Sequence, residues 1–345
     1  MNTIHEYVKQ YGRFTFQESP FNEVDNAVFS SLAYLDFSDC IDGEEEITIR
    51  FLARRYFKKN NTQKIRKNPH SIRQMIETFF LCSTVRRYQD IIVHHFRHII
   101  NETTQFQALC FTIAKGTMFV AFEGTDDSMV GWHEDFDMMH TFPIPSQKLA
   151  MEYLNQVITR KYHRVYVGGH SKGGNLAMTA CMYLPFWKQH KVKQIYNNDG
   201  PGFRKEEYES KEFKRIEKKL HVIIPESSVI GLLFYHKKDF QVVKSLGRGI
   251  YQHDLSNWLC YGAYFTPGTL TDEAKSQARR FSICFQKYSY AKKKEFVNIL
   301  FSLFKECNMT VFSEVTNPKI SKLIRLIHAS RKLDKESKEL LIDMF

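Results

Sequence analysis

The sequence has little that would support secretion, membrane insertion or a disulfide-stabilised fold. Residues 1–11 carry charges at Glu6 and Lys9, and no segment approaches the roughly 18 consecutive apolar residues of a membrane-spanning helix. The seven cysteines are scattered singly, and their odd number argues against a complete disulfide framework. We therefore expect a soluble protein of the reducing cytoplasm.

Motifs for metals, cofactors and nucleic acids are also scarce. The cysteines and histidines do not form the close pairs that bind zinc, so we expect no metal and no cofactor. The formal net charge is +11, but the basic residues are spread over stretches 54–67, 204–219 and 287–294. We interpret most of them as solvated helix faces and expect no nucleic-acid partner. Peripheral contact with an anionic membrane stays open as a second interpretation of this charge.

The chain has no Gly/Ser-rich linker and no internal repeat, and its 345 residues are 43% hydrophobic, enough for a sizeable core. We expect one compact domain in three parts. Residues 1–105 should form a mainly helical segment that packs on the core, residues 106–270 an α/β core, and residues 271–345 a helical extension.

Hydrophobic periodicity divides the chain into helices and strands. Helical spacing of apolar residues occurs at 23–35, 72–80 and 85–100, and the polar stretch 58–69 is predicted to be a loop. Residues 106–114 and 117–123 are rich in β-branched and aromatic residues, and the turn Lys115-Gly116 joins them as a hairpin. Helices at 146–160, 173–184 and 205–219 then alternate with strands at 164–168, 192–197 and 220–224. This alternation predicts a mostly parallel sheet with helices on both faces, followed by helices at 272–290, 291–307, 317–330 and 334–344.

Ser171 is the candidate nucleophile. It lies in Gly169-His170-Ser171-Lys172-Gly173, between a predicted strand and a predicted helix. A sharp strand-to-helix turn forces the serine into a strained backbone conformation, and small residues two positions away on either side avoid clashes. This arrangement predicts the nucleophile elbow of an α/β-hydrolase fold.

An acyl-transfer site also needs donors for the developing oxyanion. The backbone N–H of Lys172, directly after the nucleophile, is the first candidate. The second is Thr125, in the loop Gly124-Thr125-Asp126 that follows a predicted strand upstream of the elbow.

The base and the acid should follow Ser171 in the order serine, acid, histidine. Of the histidines after Ser171, we favour His253, which follows the last core strands; His190 precedes the strand that should carry the acid, and His221 and His328 fall within predicted elements. For the acid, Asp199 after the strand 192–197 ranks first. Glu226, one strand later, remains the alternative. Asp254 is disfavoured, because a residue adjacent to His253 in sequence rarely reaches Nδ1 of that histidine in the required geometry.

These residues resemble two related groups of proteins. Phe122-Glu123-Gly124-Thr125, Trp132, Asp135 and Gly169-His170-Ser171-Lys172-Gly173-Gly174 resemble the class 3 (fungal-type) lipase pattern. The segments Asn22 to Asn26, Gly124 to Ser128, Tyr196 to Phe203 and Gln252 to Asp254 are similar to an uncharacterised bacterial family of lipase-like α/β-hydrolases, and the match spans roughly residues 20–260.

The resemblance implies Ser171 as nucleophile, Thr125 as an oxyanion-hole residue and His253 as base. Two positions depart from class 3 lipases: Glu123 stands where they usually have arginine, and Ser227-Ser228-Val229 stands where they usually have the acid in Asp-Pro-Val. Asp199-Gly200-Pro201 echoes instead the acid-bearing turn of pancreatic-type lipases, which adds weight to Asp199.

The segment 129–142 mixes large apolar with acidic residues, and in lipases this region is a lid. Met129, Trp132 and Met138 are therefore predicted to form a lid or to line the substrate site, although an ordinary packed helix explains the pattern too. The expected function is a serine hydrolase that cleaves acyl esters or lipids through a Ser-His-Asp triad. The alternative is a non-catalytic binding or regulatory protein with the same fold.

Overall fold

The computed structural model describes residues 2–42, 44–316 and 319–344. Their central sheet has eight strands that lie side by side in chain order. The strands are β1 Ile47–Thr48, β2 Ile92–Ile100, β3 Gln105–Ala114, β4 Thr117–Phe122, β5 Arg164–His170, β6 Val192–Asn198, β7 Leu220–Pro225 and β8 Gln241–Val243. Neighbours from β4 to β8 are parallel, and β1 to β4 extend the sheet as antiparallel strands. The strands β9 Cys260–Tyr261 and β10 Tyr264–Phe265 form a separate small hairpin.

Helices cover both faces of the sheet. They are α1 Ile4–Tyr11, α2 Glu23–Leu32, α3 Ile49–Lys59, α4 Thr62–Arg66, α5 His70–Thr84, α6 Met129–Asp137, α7 Pro145–Val157, α8 Lys172–Met182, α9 Phe186–Gln189, α10 Lys205–Tyr208, α11 Lys211–Ile216, α12 Asp272–Lys287, α13 Tyr290–Glu306, α14 Ser313–Thr316, α15 Ile320–Lys332 and α16 Lys335–Met344. Side chains of β3 alternate between the faces: Leu109 and Phe111 pack with α2 and α5, whereas Ala108 and Cys110 pack with α7 and α8. The predicted α/β-hydrolase fold, a mostly parallel sheet flanked by helices, is confirmed.

The helix predicted over 85–100 is wrong, because residues 85–91 form a turn segment after α5 and residues 92–100 form β2. Apolar residues at Ile92, Val93, Phe96 and Ile99 imitate helical spacing. A β-bulge between His94 and Arg97 shifts the register, and His95 adopts φ 52° there. Because a bulge moves the following side chains to the opposite face, a bulged strand loses the alternation of period two.

Two further predictions change in detail. The stretch 58–69 is not a continuous loop, because α3 extends to Lys59 and Asn61 caps the short helix α4. The helix predicted over 205–219 is broken, because the Ser210 side chain accepts a hydrogen bond from Phe213 N and starts α11 anew. In the helix predicted over 317–330, positions 317 and 318 lie outside the described residues, and α15 covers the remainder.

The C-terminal helices contribute a third apolar cluster. Phe296, Leu300 and Phe304 of α13 pack there with Met139, and Met129 and Phe136 contact the same cluster. This packing places the C-terminal helices against α6, near the end of the sheet where β5 leads into Ser171. Among the described residues, no helix combines the length and the apolar character that crossing a bilayer requires.

Candidate active site

Ser171 lies at the turn between β5 and α8, where the sequence predicts a nucleophile elbow. Its backbone has φ 56° and ψ −131°, a region that residues with a Cβ rarely adopt. A Cβ on Gly169 would lie 2.4 Å from the carbonyl oxygen of Gly173, and one on Gly173 would lie 2.2 Å from that of Phe122. Both glycines are therefore required by the close approach of backbone segments around the serine.

Buried amides hold the elbow in place. Ser171 N donates to the carbonyl of Asn198 (3.0 Å), and Asn198 Nδ2 donates to the carbonyl of Gly169 (3.0 Å). The Asn198 amide also exchanges hydrogen bonds with the Asn26 amide of α2, and both side chains are fully buried. Helix α2 thus supports the strained turn from the opposite side of the sheet.

Asp199 and His253 come together at the end of β6. His253 Nδ1 lies 2.6 Å from Asp199 Oδ2, and Asp199 is 1% exposed. The other carboxylate oxygen, Oδ1, accepts from Ser228 Oγ (2.5 Å) and Gly231 N (3.2 Å). These three contacts hold the carboxylate in one orientation, and the carboxylate in turn orients the imidazole.

The alternative acids lie elsewhere. Glu226 Oε1 accepts from Thr269 N (3.2 Å), in the segment that leads to α12. Asp254 Oδ1 accepts from the backbone and hydroxyl of Ser256, as a cap for the following turn. Of the three carboxylates that the sequence left open, Asp199 is the one that contacts His253.

Ser171 and His253 are neighbours without a direct bond. The ring of His253 lies 4.3 Å from that of His170, the residue before Ser171. Among the described residues, however, Ser171 Oγ has no hydrogen-bond partner. Catalytic hydrogen bonds are often long in the absence of substrate, so the lack of this bond does not argue against the pair.

His170 links the elbow to His253, a contact that sequence reasoning missed. Its Nε2 lies 2.7 Å from the backbone oxygen of His253, and its Nδ1 lies 2.7 Å from the Tyr34 hydroxyl. Because a carbonyl only accepts, Nε2 must carry the proton and Nδ1 must accept from Tyr34. Burial, and next the neighbouring His253, lower the pKa of His170 well below its ordinary value, which keeps the ring neutral. Its position inside the G-x-S-x-G motif was the only signal in the sequence.

Thr125 lies beside the elbow, as the sequence predicts for an oxyanion loop. The pairing of Phe122 with Gly169 aligns the ends of β4 and β5, so the loop after β4 runs next to Ser171. The Thr125 hydroxyl donates to Asp135 Oδ2 (2.5 Å) of α6. Burial raises the pKa of Asp135 to about 6, with Glu134 acting in the same direction and Lys172 and Thr125 opposing.

Lys172 has a buried side chain in addition to the backbone N–H for which the sequence singled it out. Its ammonium donates to the carbonyl (3.1 Å) and Oε1 (2.5 Å) of Gln105 and lies 3.4 Å from Glu134 Oε2. Lys172 and Glu134 are each 1% exposed. Glu134 also accepts from Gln105 N and Ser146 N, so it joins α6 to the elbow and to the start of α7.

Glu123, which stands where class 3 lipases usually have arginine, is buried behind this network. Gln105 Nε2 donates to its Oε2 (2.8 Å). Burial, and next the charge of Asp126, raise the pKa of Glu123 well above its usual range. The departure from the lipase pattern therefore places a buried carboxyl group, hydrogen-bonded to an amide, next to the loop that carries Thr125.

The predicted lid residues lie on α6 and just after it. The ring of Trp132 stacks on Phe312 at 3.7 Å with an interplanar angle of 9°, and Met129 packs in the C-terminal apolar cluster. Met138 is 6% exposed and faces a narrow crevice beside Phe203. The C-terminal segment thus covers the outer face of α6.

No group of three or more histidine, cysteine or acidic side chains suited to a metal ion occurs in the parts of the chain that the structure describes. A cavity of about 440 Å³ lies between residues 39–42 and Arg55, Lys58 and Lys59, remote in sequence from every candidate catalytic residue.

Residues 82–302 match the family model Mbeg1-like, and this match covers well over half of the chain. The chain therefore belongs to the Mbeg1-like family, a lipase-like family with an α/β-hydrolase fold. No curated protein matches it. Among solved structures it is similar to one described as M37 lipase, with 12% identity over 61% of this chain and 69% of that one, at a TM-score of 0.35. A similarity this weak adds no argument about the site.

Proposed function

We propose that this Mbeg1-like protein is a serine hydrolase that cleaves acyl esters, with Ser171 as nucleophile, His253 as base and Asp199 as the orienting acid. The observation that carries the proposal is the 2.6 Å contact between His253 Nδ1 and Asp199 Oδ2 beside the strained Ser171. A buried carboxylate bound to the Nδ1 side of a histidine leaves Nε2 free for proton transfer, which is the arrangement that acyl transfer needs.

The proposed reaction follows from these positions. His253 Nε2 takes the proton of Ser171 as Oγ attacks the ester carbonyl, and the backbone N–H groups of Lys172 and Thr125 stabilise the oxyanion. The imidazolium then gives this proton to the leaving alcohol. Water, deprotonated by His253, attacks the acyl-enzyme and releases the acid and free Ser171. The negative charges of Asp199 and Asp135 favour the imidazolium formed in both steps.

The substrate class that we propose is an acyl ester or lipid. Met129, Trp132 and Met138 lie on or beside the helix that borders the elbow, and flexible apolar side chains suit an acyl chain. We place the reaction in a reducing compartment, the cytoplasm, because all seven cysteines are free thiols and six of them are buried.

Labelling with a fluorophosphonate probe tests the proposal. The wild-type protein should react covalently and should hydrolyse p-nitrophenyl esters, and Ser171→Ala should lose both activities. Ser276→Ala is the matched control, because Ser276 is an exposed serine on α12. Comparing short and long acyl chains then measures whether the residues around α6 select the chain length.

Two results would contradict the proposal. If the folded wild-type protein neither labels nor hydrolyses any of the esters, the site is not a serine hydrolase and the protein is a binding module with a hydrolase fold. If Ser171→Ala labels as fast as the wild type, another nucleophile is responsible.

A further inference from the structure

Helix α15 turns an apolar face toward solvent. Ile320, Leu323, Ile324 and Ile327 are 78%, 43%, 61% and 46% exposed. At the helical repeat of 100° per residue, these four side chains occupy an arc of about 100°. The opposite side of the helix packs on the protein through Leu326 and the buried Ala329. The exposed face is therefore a continuous aliphatic stripe on an otherwise anchored helix.

The same helix is strongly basic. Residues 319–332 contain five lysines and arginines and no aspartate or glutamate. Two of the cations are bound within the protein, Lys322 to Glu314 (2.5 Å) and Lys332 to Glu306 (2.7 Å). Lys319, Arg325 and Arg331 are exposed, and Arg331 lies on the arc of the aliphatic stripe itself. The helix lies beyond the part of the chain that matches the family model, which ends at residue 302.

We propose that α15 docks on the surface of an anionic lipid bilayer, with its four aliphatic side chains in the headgroup region and its cations on acidic lipids. A convex helix face that combines exposed aliphatic residues with flanking lysines and arginines is the arrangement of an interfacial helix. A second copy of the chain fits this face less well, because a two-fold contact would place like charges opposite each other.

The docking surface is connected to the candidate active site. Helix α15 packs on α13, and α13 packs on α6. Lys322 also donates to the carbonyl of Asn308, four residues before the Phe312 that stacks on Trp132. When the protein is bound to a membrane through α15, the contact is therefore connected to α6 through the same C-terminal helices that cover α6. The binding itself rests on the surface alone and not on the proposed hydrolase activity.

Sedimentation with vesicles tests the proposal. The full chain should bind phosphatidylcholine vesicles that contain about 30 mol% phosphatidylserine, bind pure phosphatidylcholine much more weakly, and dissociate at about 0.5 M salt. Ile324→Ser with Ile327→Ser, and separately Arg325→Glu with Arg331→Glu, should each lower the partition coefficient at least about tenfold.

The matched control is Phe51→Ser with Arg54→Glu on α3. Phe51 is 54% exposed, and the Arg54 guanidinium lies 5.2 Å from its ring, so the pair has the same character at another site. The control should change binding by less than about twofold. Ser171→Ala should bind like the wild type, which separates this test from that of the hydrolase activity.

Three results would overturn the proposal: no binding of the wild type to anionic vesicles, equal binding by the α15 variants, or a wild-type dimer in analytical ultracentrifugation that the α15 variants dissociate. Circular dichroism of each variant verifies that the fold is intact, as expected for exposed positions.

Discussion

Replacing Asp199 by asparagine is the sharpest test of the candidate triad. The carboxylate is 1% exposed, and its Oδ2 lies 2.6 Å from His253 Nδ1. With the charge centres roughly 4 Å apart and an effective dielectric constant of about 20, its attraction for the imidazolium amounts to ~4 kcal/mol. This corresponds to a loss in kcat of about 10³-fold, and the wrong tautomer of His253 brings the loss toward about 10⁴-fold.

The assay is the hydrolysis of p-nitrophenyl butyrate by Asp199→Asn, with Glu226→Gln as the matched control. Glu226 binds Thr269 N and not His253, so its variant should lose less than about threefold. Thermal unfolding of both variants verifies the fold, because Ser228 and Gly231 also donate to Asp199. If Asp199→Asn is folded and keeps more than about a tenth of the wild-type kcat, or if Glu226→Gln loses as much, the assignment of the acid is refuted.

Three other perturbations test how the site is supported. Arg87 forms a fully buried ion pair with Asp25 of α2, at 2.5 Å. Arg87→Met should lower the free energy of unfolding by about 3–5 kcal/mol in urea titrations, because it leaves Asp25 without its partner cation, and adding Asp25→Leu should restore part of this loss. His170→Phe should lower kcat about tenfold, because it loses the hydrogen bond to the backbone oxygen of His253, the proposed base. An unchanged kcat would count against a positioning role for His170. The carboxyl group of Asp135 keeps its proton up to about pH 6 in the folded protein but only to about pH 3.8 in the unfolded chain. The free energy of unfolding should therefore fall as the pH rises from about 3.8 to about 6. Calorimetry at several pH values should show this decrease in the wild type, and the part due to Asp135 should be absent from Asp135→Asn.

The sequence alone predicts those features that depend on residues close to one another along the chain. The hairpin of β3 and β4 follows from alternation and from Gly116, which adopts φ 73° in the turn. The elbow follows from glycines that flank Ser171 after a buried strand. By contrast, β2 was assigned as a helix, because the bulge between His94 and Arg97 hides the alternation. A bulge depends on the partner strand, which local periodicity does not contain.

The contacts that orient the candidate site were beyond sequence reasoning for the same reason. Asp199 and Glu226 both follow strands of the same sheet, and only the fold of the chain shows which of them reaches His253. Asp199 also adopts a left-handed conformation, with φ 51°, which the sequence pattern does not predict for an aspartate at this position. The contacts of Tyr34 with His170 and of Asn26 with Asn198 join residues more than a hundred positions apart, and no spacing rule connects such pairs.

The burial of Lys172 limits how the region around α6 can open. If α6 moved outward as a rigid body, Glu134 would leave the site and the buried ammonium group of Lys172 would lose its carboxylate partner. We estimate a cost of about 3–5 kcal/mol for this loss. This movement would also strip the acceptors from Gln105 N and Ser146 N. We therefore expect α6 to stay in place during binding. If the proposed function is correct, room for an acyl chain comes from rotation of side chains such as Trp132 and Met138 along this helix.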